Sequence, residues 1–433
     1  MKIAFLALLL ATPAWPATTE SEARARAVVD ELAARSFPRV HERFTPQMAQ
    51  ALPLEKLEAL WTAIVGQVGP LEEIESARPG SVPGSFHVTC RFANARLDVA
   101  LGFDGDGRLA GLRLLPSEAP PAWSAPDYAA VGSHREITIT VGAAPWELPG
   151  VLTVPVTAGP FPAIVLVHGS GPHDQDETIG PNKPFKDLAL GLASRGIAVL
   201  RYPKRTHRYG REIAQQKEPF TVEQETVADA RAAVAALEGC PDIDRKRIFV
   251  AGHSLGGYLA PRIAAGHSPR MAGLILLAAN ARPIEDLAVE QLRYLAGGSP
   301  AGQKALEEAE DGRRQIQDPQ LKPGMTVRFL GVDMPADYFL DLRGYDPAAS
   351  AARLEIPVLV LQGGRDYQVT MADFELWKKA VGGGKSTELR QYPTLNHLLM
   401  PGSGASSERE YLTPAHVDGP LIDDIARWVR AQP

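Results

Sequence analysis

Residues 247–265 read RIFVAGHSLGGYLAPRIAA. Ile248 to Ala251 form a short, wholly apolar run, which suits a strand buried on both faces. Tyr258 to Ala265 follow a helical apolar spacing. The two meet at Gly252-His253-Ser254-Leu255-Gly256, with no room for a loop between them. A strand that passes into a helix through G-x-S-x-G makes a strained turn, and the turn lifts the Ser254 hydroxyl clear of the backbone. Gly252 and Gly256 are required because a β-carbon at either would collide with the neighbouring strand and helix. The helix N-terminus behind Ser254 supplies N–H groups without partners and a partial positive charge. The segment therefore predicts an α/β sheet with a serine nucleophile at the carboxyl end of one strand.

The flanking texture agrees. AIVLVH (163–168), AVLRY (198–202), GLILLA (273–278) and VLVLQ (358–362) are further short apolar runs. Helical patterns such as LALGLASRG (188–196) and VADARAAVAALEG (227–239) lie between them. Strand–helix alternation predicts a doubly wound, mostly parallel sheet over residues 129–433. ITITV (137–141) and VLTVPV (151–156) add two strands before it. Residues 282–346 break the alternation. They hold two helical stretches (284–297 and 303–316) and scattered large apolar residues, among them Phe329, Tyr338 and Phe339. That length is too great for a plain connection, so the segment reads as an inserted helical cap. The buried strands and the three residues read below as a catalytic triad fall outside it, so the cap is expected to be removable.

Residues 20–115 have a different texture and predict a small α+β domain. ESEARARAVVDELAAR (20–35) and PLEKLEALWTAIVGQVG (53–69) carry helical periodicity. Phe86, Val88, Cys90 and Phe92, then Leu97, Val99, Leu101 and Phe103, alternate with polar residues as half-buried strands do. A proline-rich linker, 116–128, separates this domain from the sheet. Residues 1–17 predict an export signal: Lys2, the apolar run Ile3 to Ala11, then the small, turn-rich TPAWPA. The run is short of the roughly 20 residues needed to span a bilayer, and no later segment is long and apolar enough. A secreted or periplasmic protein is expected. The formal net charge of -6 lacks the basic field that nucleic-acid binding requires. Two cysteines, Cys90 and Cys240, do not make a disulfide framework and predict two free thiols. Nothing in the sequence bears on oligomeric state.

A serine hydroxyl needs a base to take its proton, and that base needs an acid to orient it. In this topology both follow the nucleophile, in the order Ser, Asp, His. VLVLQGGRDYQV (358–369) offers an apolar strand, a Gly-Gly turn and Asp366. ELRQYPTLNHLL (388–399) offers a short strand and then His397 among leucines. The intervals leave room for the cap after Ser254, and for a helix and a strand after Asp366. Ser254, Asp366 and His397 are thus the candidate triad. Glu285 and Asp286, just after the GLILLA strand, are rivals for the acid. The oxyanion hole would pair the N–H of Leu255 with one from HGSG (168–171), where Gly169 allows close approach; Ser170 is the first choice and Gly171 the second. HDQDE (173–177) reads as a polar rim of the substrate entrance, and RYPKRTHRYG (201–210) as a solvated, salt-bridged loop. No zinc-type spacing is present, and no metal or cofactor is expected.

HGSG (168–171), GHSLGG (252–257), GGRD (363–366) and NH (396–397) together resemble the α/β-hydrolase superfamily, over about 300 residues. Within it the chain is similar to exported bacterial hydrolases grouped loosely with dienelactone hydrolases and serine aminopeptidases, several of which carry a small α+β domain ahead of the hydrolase domain. The resemblance implies hydrolysis of a small-molecule acyl ester through an acyl-enzyme. It leaves open a peptidase or amidase using the same residues, and a non-catalytic binding protein that has kept the fold.

Overall fold

The computed structural model describes residues 16–80, 84–117, 123–216, 218–265, 271–296, 300–383 and 386–433. Residues 1–15 of the expected export signal and residues 118–122 of the expected linker lie outside them. The chain forms two compact units that divide between Ala122 and Trp123.

The first unit is an antiparallel sheet with helices. Its strands are β1 (Leu71–Pro79), β2 (Ser85–Phe92), β3 (Arg96–Phe103) and β4 (Leu109–Pro116), in the order β1-β2-β3-β4. Helices Pro16–Ala33 and Leu54–Val68 supply Val28, Leu32, Leu57 and Trp61 to a core shared with Phe86, Val88, Cys90 and Val99. β1 and the short helices Phe37–Glu42 and Pro46–Ala51 were not legible in the sequence. The register of β1 against β2 slips at Leu71/Glu73 and again at Ile74/Ser76, and each slip breaks the alternation by which a strand is recognised.

The second unit is built on β5 (His134–Val141), β6 (Leu148–Pro155), β7 (Phe161–Val167), β8 (Ala198–Arg201), β9 (Ile243–His253), β10 (Gly273–Leu277), β13 (Val358–Gly363) and β14 (Thr387–Tyr392). The sheet order is β14-β13-β10-β9-β7-β8-β6-β5. β5 and β6 join antiparallel, and all pairings from β8 to β14 are parallel. This is the doubly wound arrangement expected. β7 and β10 are buried at every position, because helices cover both faces. Both cysteines are free thiols.

Between β10 and β13 the chain forms helices Ile284–Ala296 and Pro300–Gln317, a hairpin of β11 (Thr326–Phe329) and β12 (Val332–Pro335), and helix Ala336–Leu342. The segment is not a detachable lid. Ile316, Phe329, Tyr338 and Phe339 belong to the same apolar core as Leu259 and Val360 of the sheet layers. Deleting residues 283–345 would strip that core, so the expected removability does not hold.

Candidate active site

The strand–helix turn has the geometry its sequence demands. β9 ends at His253, and helix Leu255–Ala264 begins one residue later. Ser254, between them, sits at φ +52° and ψ −118°, a strained conformation for a residue with a β-carbon. Its N–H donates to the Leu277 carbonyl at the end of β10 at 2.9 Å, which pins the turn to the neighbouring strand. A β-carbon on Gly252 would lie 2.3 Å from the Gly256 carbonyl group, and one on Gly256 would lie 2.3 Å from the Val167 oxygen. Neither position can hold any other residue without moving backbone.

Asp366 follows the Gly363-Gly364 turn at the end of β13. Its Oδ1 accepts from the Gln368 and Val369 amides at 2.8 and 3.0 Å. Its Oδ2 accepts from Gln362 Nε2 at 3.1 Å and lies 2.7 Å from His397 Nδ1. A carboxylate so supplied with donors is fixed in orientation. It can only accept from Nδ1, so the proton of a neutral His397 ring sits on Nδ1 and the Nε2 lone pair is left available. The His397 loop is seated as its leucines suggested, with Leu395, Leu398, Leu399 and Met400 all buried. Asn396 ties the loop together: its Oδ1 accepts from the Leu398 and Met400 amides at 3.0 and 3.2 Å.

Ser254, His397 and Ser170 line one small cavity of about 20 Å³, and Ser254 and Ser170 also line a second of about 10 Å³ bounded by Asn280, Ile284 and Val369. Each has room for about one water molecule. The rival acids lie elsewhere. Asp286 faces Arg313 at 3.7 Å, and Glu285 lines a separate cleft of about 940 Å³ with Tyr258, Ile284 and Phe339. Ile284 borders both the second cavity and this cleft.

The loop after β7 approaches the nucleophile closely: a β-carbon on Gly169 would lie 3.2 Å from that of Ser254. Ser170 lines both small cavities, while Gly171, at φ +106°, lines neither. Leu255 N–H lies in the first turn of its helix, where amides have no intrahelical acceptor.

Two expectations are corrected here. HDQDE is not a polar rim but is mostly buried; Glu177 is 1% exposed and Asp176 5%. Glu177 Oε1 accepts from the Gly169 N–H at 2.7 Å. Its Oε2 lies 3.0 Å from His253 Nδ1, as an ion pair out of line for a hydrogen bond. Burial opposes both charges, yet each group favours the other's charge. Glu177 is held down to about 2 and His253 is raised above the ordinary imidazole range. His253 Nε2 lies 2.9 Å from the His397 carbonyl oxygen, so this buried pair links the loop after β7 to the histidine loop. His168 braces the same loop through the Asp174 carbonyl at 2.9 Å, and burial pushes its pKa down to about 3.

The basic stretch 201–210 is not a solvated loop either. Arg201, Lys204 and Arg205 are buried against Asp176, Glu225 and Asp229 respectively. Lys204, Glu177 and His253 went unrecognised as supporting residues because their charged partners are distant in sequence. A hint was available in that Glu225 and Asp229, four apart on one helical face, could answer the two adjacent basic residues three and four positions beyond the 198–201 strand.

Comparison with known proteins adds the following. The profile described as the alpha/beta hydrolase family matches residues 164–406. That described as a protein of unknown function (DUF3887) matches residues 25–112. Esterase EstD of Thermotoga maritima is 38% identical over 406 residues, covering 93% of each chain. Among solved structures, Est1E from Butyrivibrio proteoclasticus is 17% identical, covers 68% of this chain and 99% of its own, and gives a TM-score of 0.44. The Pyrococcus furiosus esterase Pf2001 is 14% identical, covers 73% and 97%, and gives a TM-score of 0.46.

Proposed function

The chain belongs to the alpha/beta hydrolase family, and from that premise we propose that it is a carboxylesterase working through Ser254, His397 and Asp366. The likeness to an esterase along 93% of both chains supports the reaction class. The observation that carries the assignment of residues is the 2.7 Å contact of His397 Nδ1 with Asp366, beside a cavity that His397 shares with Ser254. His397 Nε2 accepts the serine proton as Oγ attacks the acyl carbon, then returns it to the leaving alcohol. Asp366 holds the imidazole in the useful tautomer and stabilises the imidazolium that forms. The amides of Leu255 and Ser170 face the growing oxyanion, which is present only near the transition state. Water then repeats the cycle on the acyl-enzyme.

The cavities at Ser254 hold little more than water, so the acyl or alcohol part of the substrate needs further room. The apolar-walled cleft beyond Ile284 is the adjoining space, and it begins one helical turn from the nucleophile, since Tyr258 N–H bonds to the Ser254 carbonyl. An amidase or peptidase would use the same groups. Comparing turnover of an ester and an amide of the same acid tests the choice, with the ester preferred. Export is part of the proposal, on the strength of Lys2 and the Ile3 to Ala11 run; N-terminal sequencing of the protein from a cell-free culture or periplasmic fraction would show a chain lacking those residues, and an intact N-terminus would reject it.

A further inference from the structure

We infer that Lys204 is a positioning residue for the oxyanion hole: by holding the Gly169 carbonyl it turns the peptide between Gly169 and Ser170 so that the Ser170 N–H faces the reacting carbonyl. The inference rests on the proposed function above, which makes that N–H an oxyanion donor.

Gly169 and Ser170 carry four polar backbone groups. The Gly169 N–H donates to Glu177 Oε1 at 2.7 Å. The Gly169 carbonyl accepts from Lys204 Nζ at 2.9 Å. The Ser170 carbonyl lies 2.6 Å from His173 Nε2. Among the described residues the fourth group, the Ser170 N–H, donates to nothing, although Ser170 lines both cavities at Ser254. The Gly169 carbonyl and the Ser170 N–H belong to one planar trans peptide, in which they point in opposite directions. An ammonium fixed on the carbonyl side therefore fixes the N–H on the other. Without it, rotation of this glycine-preceded peptide would swap the two groups and aim a carbonyl oxygen at the developing negative charge. The ammonium also polarises the amide, which makes its N–H a stronger donor.

Lys204 is itself fixed. Its Nζ donates to Glu225 Oε1 at 2.8 Å, and Glu225 Oε2 accepts from the Tyr338 hydroxyl at 2.7 Å. Glu225 lies in a π-helical turn, Glu223–Val227, a distortion common at functional sites. Tyr338 comes from the inserted segment. All three side chains are buried, and Lys204 lines neither catalytic cavity, so it acts through the peptide and not on the substrate.

The test uses the full chain and a p-nitrophenyl ester. Losing one oxyanion donor typically lowers turnover by about 10²–10³. Lys204→Met should lower kcat by about 10-fold to 10²-fold, with KM within about twofold, because only the transition state is affected. Affinity for a trifluoromethyl ketone, whose adduct on Ser254 carries an oxyanion, should fall by the same factor. Because Lys204→Met strands a buried carboxylate and could unfold the chain, the double variant Lys204→Met/Glu225→Gln, which removes both charges, is measured beside it. It should regain melting temperature but not kcat. A folded double variant with wild-type kcat and ketone affinity would overturn the inference. So would a single variant whose kcat falls only with its folded fraction. Turnover persisting in a parallel Ser254→Ala sample would reject the reading of the site itself, and this inference with it.

Discussion

His397 Nδ1 lies 2.7 Å from Asp366 Oδ2, and the other oxygen of that carboxylate is occupied by two backbone amides. The arrangement leaves the ring one orientation, with Nε2 turned away from the acid. Asp366→Asn should therefore lower turnover by about 10⁴, since an amide permits the wrong tautomer. Glu285→Gln and Asp286→Asn should stay within a few-fold of wild type. Steady-state kinetics on the three variants decide the matter, and a larger loss at either of the latter would move the acid to the segment after β10.

The cleft beyond Ile284 predicts a dependence on chain length. Ile284→Trp should narrow the passage and reduce kcat/KM for p-nitrophenyl octanoate by at least about 10-fold, while p-nitrophenyl acetate stays within about twofold. An indole replacing a sec-butyl group fills space that an acetyl group does not need. Equal losses on both esters would place the acyl group elsewhere.

The supporting histidines predict how stability varies with pH. His168 is folded as a neutral ring whose pKa is pushed down to about 3, chiefly by burial, against about 6.5 in an unfolded chain. Between those values the unfolded state binds the extra proton, so stability is present above about 6.5 and is lost as pH falls toward about 3. His253 has the opposite sign. Its raised pKa gives stability that is complete below about 6.5 and fades as pH rises through the folded value. In His168→Gln the slope of unfolding free energy between pH 6.5 and 4 should shrink by up to about 1.4 kcal/mol per pH unit. An unchanged slope from urea titrations at several pH values would show that His168 is not buried as a neutral ring.

How much of this could be read in advance follows from the range of each interaction. The buried strands announced themselves as unbroken apolar runs, and the turn at Ser254 and the Gly-Gly turn before Asp366 are local constraints carried by a few adjacent residues. β1 was hidden because its bulges break the alternation. The charged loops 173–177 and 201–210 were misjudged for another reason. A lysine or glutamate is expected in solvent unless its partner is known, and the partners of Lys204 and Glu177 (Glu225 and His253) stand far along the chain. Nothing in a single sequence states such pairings. The inserted segment looked separable because the buried strands and the triad lie outside it, and only the folded chain shows that Phe329 and Phe339 join the common core.

Asn396 predicts a kinetic effect without ligand contact. It organises the His397 loop through the Leu398 and Met400 amides and donates to Glu410 at 3.1 Å. Asn396→Ala should lower kcat by roughly 10-fold or more and the melting temperature by a few degrees, consistent with the loss of about 1–3 kcal/mol of buried hydrogen bonding. Asn396→Asp combined with Glu410→Gln, which keeps the two accepting contacts and sets an amide instead of a second carboxylate against the new aspartate, should recover most of the activity. No recovery would mean that the side chain does not act through those amides.

The central claim is that Ser254 is the residue acylated in turnover. Mass spectrometry of the peptide carrying Ser254, after stoichiometric treatment with a fluorophosphonate, tests it most directly. The account predicts one adduct, on Ser254, formed in proportion to the activity lost, and no adduct in a folded Ser254→Ala protein devoid of turnover. An adduct on another serine, or undiminished hydrolysis by Ser254→Ala, would contradict it.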